Sequence, residues 1–400
     1  MHLTSIGPVE GGPNALLAKV REALTTLEGS ERQEVRLAIL YLPFAADHNA
    51  YLRGLRMLLT CPIMGATTGG AAFTERGVSS KGAVLGLITG AVEITCTVAR
   101  DISPDDMQPL EAALQSLPRH LGKHQTVLTL ADPFAVDGEV LARTLRRSTQ
   151  SSCQHLGGTA GDNWSFVQPL VFFNTEVLSR AAVVASFGTD APMVGGFRHG
   201  WCPALDHANT VTKASGSTLF ELDHRPALAV YIEALQKAGI VNDQSPYEHI
   251  VHTTNIEEII GKLAIHSLGM RSIFSDEMRV RTPMSIDITS GSIQLAGAIP
   301  EGATVTVLTA EPDTLIAAAT EVAQSVYGAL QRENRQPKGA LVVNCAGRNG
   351  LLKERFVEEV FALDNGTQVP MIGFTSYGEV ARLQGKIEGF HNTTVVLAAW

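Results

Sequence analysis

Three short loops carry the residues best placed for chemistry. They are IMGATTGG at Ile63 to Gly70, HLGGTAGD at His155 to Asp162, and MIGFTSYGE at Met371 to Glu379. Each sets a Gly-x-Thr turn at the end of an apolar run, where glycine permits close backbone approach and the turn presents N–H groups and a hydroxyl. Such loops suit a small polar ligand. Thr67, Thr68, Thr159, Thr375 and Ser376 can donate hydroxyls to a ligand carboxylate, or they can bond their own turns. Asp162 and Glu379 close two of the loops and can take an amino group or cap the following element. Arg348, just past the run ALVVNC, can hold a carboxylate at two points; an ion pair, with Glu379 as the nearest named partner, is the rival reading. Arg281, in the RVR stretch, reads first as a strand-edge or solvated arginine and second as a ligand contact. The third loop, with Arg348 and Glu379 beside it, has the best chemistry for an amino-acid-like ligand.

Cys345 invites a nucleophile test, with His391 and Asn392 as the partners a cysteine hydrolase would use. No G-x-S-x-G elbow or cysteine-hydrolase signature surrounds them, and a free cysteine is usually a small hydrophobe. There is also no G-x-x-x-x-G-K-[ST] and no G-x-G-x-x-G after a strand, which argues against a nucleotide site. Twelve histidines, among them His155, His199, His207, His266 and His391, offer axial ligands for a haem. No C-x-x-C-H is present, so such a haem would be b-type. His120/His124 and His249/His252 lack a third ligand nearby, so zinc is not expected.

The formal charge is -9 with no block of Lys or Arg, which argues against nucleic-acid and anionic-membrane binding. The five cysteines stand singly, as expected of a reduced, cytoplasmic protein. The first residues, MHLTSIGPVEGG, lack a signal-peptide pattern, and no apolar run approaches the roughly 20 residues of a membrane span.

The loops need elements to hold them. NALLAKVREALTTLE has helical apolar spacing, RLAILYLP reads as a buried strand closed by Pro43, and HNAYLRGLRMLLT reads as a helix before the first loop. KGAVLGLI and VEITCTVAR read as strands. The helix DDMQPLEAALQSL, the strand QTVLTLAD and the helix GEVLARTLRRSTQ then lead to the second loop. PLVFFNTEVLSRAAVVASFG reads as a hairpin. Beyond Val211 come a strand, a turn and a helix from Pro226, with Asp223 expected at its N-cap. Tyr247 to Met270 reads as irregular or helical, and two or three antiparallel strands follow. The helix DTLIAAATEVAQSVYGAL, the strand GALVVNC, the helix KERFVEEVFAL, the third loop and NTTVVLAAW complete the chain. The pattern is α/β: repeated strand–helix–strand units with mixed sheets in two related lobes, the third unit taking its extra hairpin before its core instead of after it. A linker is expected at Leu205 to Thr212.

Together the motifs resemble a known family. GATTGG at Gly65, GGTAGD at Gly157, VTKASGSTLFELDHRPAL, AIPEG at Ala298, CAGR at Cys345, GFTSYGE at Gly373 and HNTT at His391 are similar to those of FIST-domain proteins. The resemblance implies an N-terminal helix over 1–30, a FIST N-terminal domain over 31–210 and a FIST C-terminal domain over 211–400. It implies a bacterial sensory protein that binds a small metabolite, amino acids having been proposed, without catalysis. No output domain follows before Trp400, so a histidine kinase or diguanylate cyclase acting in trans is the expected partner. Some stand-alone members are haem-based nitric-oxide sensors acting on a kinase, which keeps haem b open as the alternative cofactor. A cysteine-dependent hydrolase is the remaining alternative.

Overall fold

The computed structural model describes residues 1–28, 34–119, 121–240, 266–272, 275–383 and 389–400. Most of Tyr247 to Met270 lies outside these residues, as do His120, His249 and His252.

The chain is mixed α/β, and its unit is strand, helix, strand, helix, strand, hairpin, strand. The first copy runs through His2–Val9, the helix Gly12–Glu28, Val35–Leu42, the helix His48–Leu58, Ile63–Thr67, a hairpin of Ala72–Thr74 and Gly77–Ser79, and Ala83–Thr89. The second runs through Glu93–Ala99, Gln108–Gln115, His124–Ala131, Gly138–Ser148, Gln154–Thr159, a hairpin of Val171–Phe173 and Glu176–Leu178, and Ala182–Thr189. The third begins with Val194–Arg198 and resumes at the helix Pro312–Arg332. It continues with Ala340–Cys345, the helices Ala346–Leu352 and Phe356–Asp364, Met371–Ser376, a hairpin of Glu379–Arg382 and Gly389–His391, and Val395–Ala399.

Each copy builds four strands of a six-stranded sheet in the same order. In each, the second and third strands are parallel, and Leu42, Ala131 and Asn344 lie opposite Thr67, Thr159 and Thr375. The remaining two strands of every sheet are another copy's hairpin. The first hairpin pairs with Met371–Ser376, the second with Ile63–Thr67 and the third with Gln154–Thr159. Three units thus exchange hairpins around a closed cycle. The repeat is legible in places: PFAAD at 43–47 recurs as PFAVD at 133–137, one residue out of step with the strand register, which sets Pro43 level with Asp132. Asp47 and Asp137 each cap the next helix, accepting from the N–H groups of Ala50 at 3.0 Å and Val140 at 2.9 Å.

Several sequence expectations change in detail. His2–Val9 is a strand ahead of the N-terminal helix. PLVFFNTEVLSRAAVVASFG forms a short hairpin and then a separate strand, because Asn174 and Arg180 both turn the chain at positive φ. The third unit takes its hairpin after its core, like the others. What precedes that core is an inserted nine-stranded sheet running from Cys202–Pro203 to Thr304–Thr309, with the helix Ala227–Lys237 on its apolar face. Asp223 does not cap that helix; its carboxylate accepts from Thr210 N–H at 2.8 Å and the Asn209 amide at 2.7 Å. Leu205 to Thr212 is tied into the inserted sheet, where Thr306 donates to the His207 carbonyl at 2.7 Å. CAGR opens a helix instead of a turn, because Cys345 is its N-cap.

A central core draws Ile39 and Met64 from the first sheet, Leu128 and Leu156 from the second, and Val343 and Phe374 from the third. Each such side chain contributes about 1.5–3 kcal/mol by leaving water. The parallel strands approach so closely that a Cβ on Gly65 would collide with the Leu40 carbonyl, and one on Gly157 with the Thr129 carbonyl. Gly157→Ala should therefore destabilise the protein by about 3 kcal/mol in urea unfolding, as overpacking against backbone does. A loss below about 0.5 kcal/mol, the range of neutral surface changes, would show that the strands separate freely.

Candidate functional site

The three loops meet. Gly69 N–H donates to the Thr375 carbonyl at 2.6 Å, Gly161 N–H to the Thr67 carbonyl at 3.0 Å, and Tyr377 N–H to the Thr159 carbonyl at 3.3 Å. These three bonds close a ring in which each loop holds the next. Much of the polar chemistry read from the sequence supports that ring. Thr67 exchanges hydrogen bonds with the Leu170 backbone, and Thr375 with that of Ala71. Asp162 accepts four bonds, from the N–H groups of Phe166, Val167 and Gln168 and from the Tyr377 hydroxyl at 2.7 Å. Arg281 is fully buried; it pairs with Glu139 and donates to the Ala298 carbonyl at 2.9 Å. Arg348 is fully buried as well, and its partner is Glu359 at 2.7 Å. Its other donors reach the carbonyls of Leu315, Thr393 and His199.

Cys345, Ser376, Glu379 and His391 come together in the third copy. Strand pairing sets Cys345 beside Ser376, and Glu379 opposite both Gly158 and His391. Directly opposed residues of antiparallel strands share a face. Glu379 Oε1 lies 2.6 Å from Ser376 Oγ, and Oε2 accepts from Thr394 N–H at 3.2 Å. The Cys345 sulfur lies near Gly347, Thr393 and Glu379. Burial pushes the Glu379 carboxyl from its ordinary 4.5 to about 8, and the bonds from Ser376 and Thr394 only partly offset this. Burial also pushes the Cys345 thiol well up, and the neighbouring Glu379 adds to the rise, so the sulfur stays protonated. His391 is held neutral, first by burial and then by Arg279 and Arg281.

Around this group lie buried polar atoms that meet no partner among the described residues. They are both amide atoms of Asn392, Asn344 Oδ1, Glu359 Oε2, His391 Nε2 and Thr159 Oγ1. Their residues are at most 2% exposed. Buried polar groups are almost always paired, so these atoms call for partners beyond the described protein atoms, either ordered water or a ligand. Asn344 and Glu359 escaped the sequence reading. A polar residue inside the run ALVVNC was the available signal for Asn344, while Glu359 looks like any helical surface glutamate.

The five candidate axial histidines differ in their surroundings among the described residues. His155 bonds Thr149 Oγ1 at 2.8 Å, His199 accepts from Trp201 N–H at 2.9 Å, and His207 meets Asn209. The Nδ1 of His266 has no partner among the described residues. His391 packs on Phe197 with ring centres 4.5 Å apart, opposite Glu379 and near two arginines. Three cavities, of about 490, 340 and 570 Å³, have no histidine in their walls. A porphyrin plane needs an imidazole facing an apolar slot, and none of these three cavities offers one. Among the described residues no cluster of three His, Cys, Asp or Glu could hold a metal, and no helix is long and apolar enough to cross a membrane.

Comparison with known families gives two matches. The FIST N domain matches residues 36–225 and the FIST C domain matches residues 227–382. No curated protein matches the chain.

The raised Glu379 makes stability depend on pH. The folded protein keeps this proton while the unfolded chain loses it, so folding weakens as pH rises from about 4.5 to about 8. Glu379→Gln should remove up to roughly 5 kcal/mol of that fall. Urea titrations of both proteins across this range check it, and parallel pH profiles would count against a neutral buried carboxyl.

Proposed function

The chain belongs to the FIST family, whose domains are the sensory parts of signal-transduction proteins, and on that premise we propose that it binds a small polar metabolite at the third-copy centre. The observation that carries this reading is the set of buried polar atoms without partners around Asn392, His391, Asn344 and Thr159. The sequence motifs CAGR, GFTSYGE and HNTT converge there, so the residues that carry the family resemblance also line the centre. An amino acid suits it. Asn344 Oδ1, Asn392 Oδ1 and Glu359 Oε2 can accept from an ammonium group, and the Asn392 amide N–H₂ and the protonated Glu379 can donate to a carboxylate. Cys345, Ser376 and Glu379 are the candidate contacts of the third loop, whereas Arg348, Thr375, Thr67, Asp162 and Arg281 are committed to protein partners. The partner we propose is a signalling protein, a histidine kinase or diguanylate cyclase. Occupancy reaches it only if the ligand binds one arrangement of the hairpin ring more tightly than another.

A melting screen against the amino acids tests this. One or a few should raise the melting temperature, since a ligand of the native state stabilises it by about 2.7 kcal/mol at a hundredfold excess over Kd. Asn392→Leu should remove that rise while leaving the unliganded protein folded. A panel with no stabilising member, or a rise that survives Asn392→Leu, would refute the assignment.

A further inference from the structure

The three copies treat one position differently. Cys345, Asp132 and Pro43 each follow the residue that faces the loop threonine. Thr393, Arg180 and Lys81 each stand two residues ahead of their copy's final strand. In the second copy the Asp132 carboxylate takes the Arg180 N–H at 2.7 Å, and in the third the Cys345 side chain lies near Thr393. In the first copy the position is Pro43, which has no side-chain polar atom to reach across. A cavity of about 570 Å³ remains there, bordered by Pro43, Thr68, Gly70 and Lys81. That volume is typical of small-molecule sites.

Some of the cavity's side-chain polar groups have no hydrogen-bond partner among the described residues. Thr68 is 2% exposed and Tyr51 4%, both line the cavity, and among the described residues neither hydroxyl makes a hydrogen bond. Lys81, on the same wall, pairs with no acidic side chain among the described residues. Gly12 and Pro13 open the 17-residue helix Gly12–Glu28 against the cavity, and its first turn contains no acidic residue. A helix start of this kind attracts negative charge. Asp47 uses one carboxylate oxygen as a helix cap at 3.0 Å, which leaves the other for a donor. Asn163 and Ser165, from the second copy's loop, complete the wall, and Phe44 supplies an aromatic face.

We propose that the first copy holds a second ligand site, separate from the third-copy centre, for a small hydroxylated anion of the sugar-phosphate or sugar-acid class. The anionic head lies at Lys81 and the helix start. The hydroxyls meet Asp47, Asn163, Thr68 and Tyr51, and the apolar face of the sugar rests on Phe44. The site joins two copies, because the second copy's loop forms one of its walls.

Calorimetry on the full chain with glucose 6-phosphate, gluconate, glucose and inorganic phosphate tests the proposal. Glucose 6-phosphate or gluconate should bind, and glucose and phosphate should bind at least about tenfold more weakly. Lys81→Ala, an exposed change that leaves the fold intact, should weaken binding by about tenfold, the loss of one charge-assisted contact. Tyr51→Phe should weaken it further, while Asn392→Leu should leave it unchanged. Binding of neither hydroxylated anion, equal binding of inorganic phosphate, or indifference to both Lys81→Ala and Tyr51→Phe would overturn the site. Loss through Asn392→Leu alone would move the ligand to the third-copy centre and overturn it equally.

Discussion

Three backbone hydrogen bonds organise the molecule. Each loop donates one N–H to the threonine carbonyl of another loop, and the cycle closes on itself. The bonds are ordinary in strength, each worth about 1 kcal/mol net. Their weight comes from position, because the hairpin that follows each loop completes another copy's sheet. A sheet without its borrowed hairpin would expose an open edge beside buried apolar strands. The ring therefore has no independent part, and it explains why glycines sit where the strands press together. It also explains why Asp162 spends all its acceptor capacity on a turn and on Tyr377. That turn lets the second loop reach the third.

Similar backbones with different side chains give three different interiors. In the second copy, Asp132 satisfies the N–H groups of Phe134 and Arg180 and fills the space. In the third, Cys345 stands at the corresponding position, and the polar groups behind it are buried. The inserted sheet and the helix Pro312–Arg332 cover that side, and Arg348 reaches the Leu315 carbonyl on the helix. A buried guanidinium needs this many acceptors, since removing a charge from water costs several kcal/mol before pairing repays it. The ion pair between Arg348 and Glu359 thus anchors the cover, and its charge is not free for a carboxylate ligand. In the first copy proline leaves the space open.

Much of this was legible from residue order. The apolar runs marked most of the longer strands, though not His2–Val9 or Leu268–Ser272, and helical spacing marked most of the helices, though not Ala346–Leu352. The Gly-x-Thr loops stood out because glycine beside threonine at a strand end is a specific demand on the backbone. The borrowed hairpins were not legible, because a strand's alternation states that it pairs and not with which copy. The insertion hid the third repeat, placing over a hundred residues between its first two strands. The same limit applies to the side chains. Arg348 and Asp162 look like ligand groups in sequence, since type and spacing cannot reveal that neighbours have already consumed their hydrogen bonds. Asn392 looked secondary to His391, and only burial distinguishes it.

The two candidate sites differ in what binding can do. At the third copy a ligand would replace missing partners for groups already desolvated, so its contacts need not repay the cost of burying them again. Affinity there comes chiefly from relieving unsatisfied polar atoms, and the gain is specific to a molecule that matches donors to acceptors. At the first copy the groups still meet water, and a ligand must compete with it. The first-copy wall includes Asn163 and Ser165, whose segment is held by Asp162 and Tyr377, and Tyr377 lies next to Ser376 in the third loop. The same turn therefore touches both places. Because the packed ring around it resists gradual deformation, the two occupancies can influence each other only by favouring alternative packings of that turn.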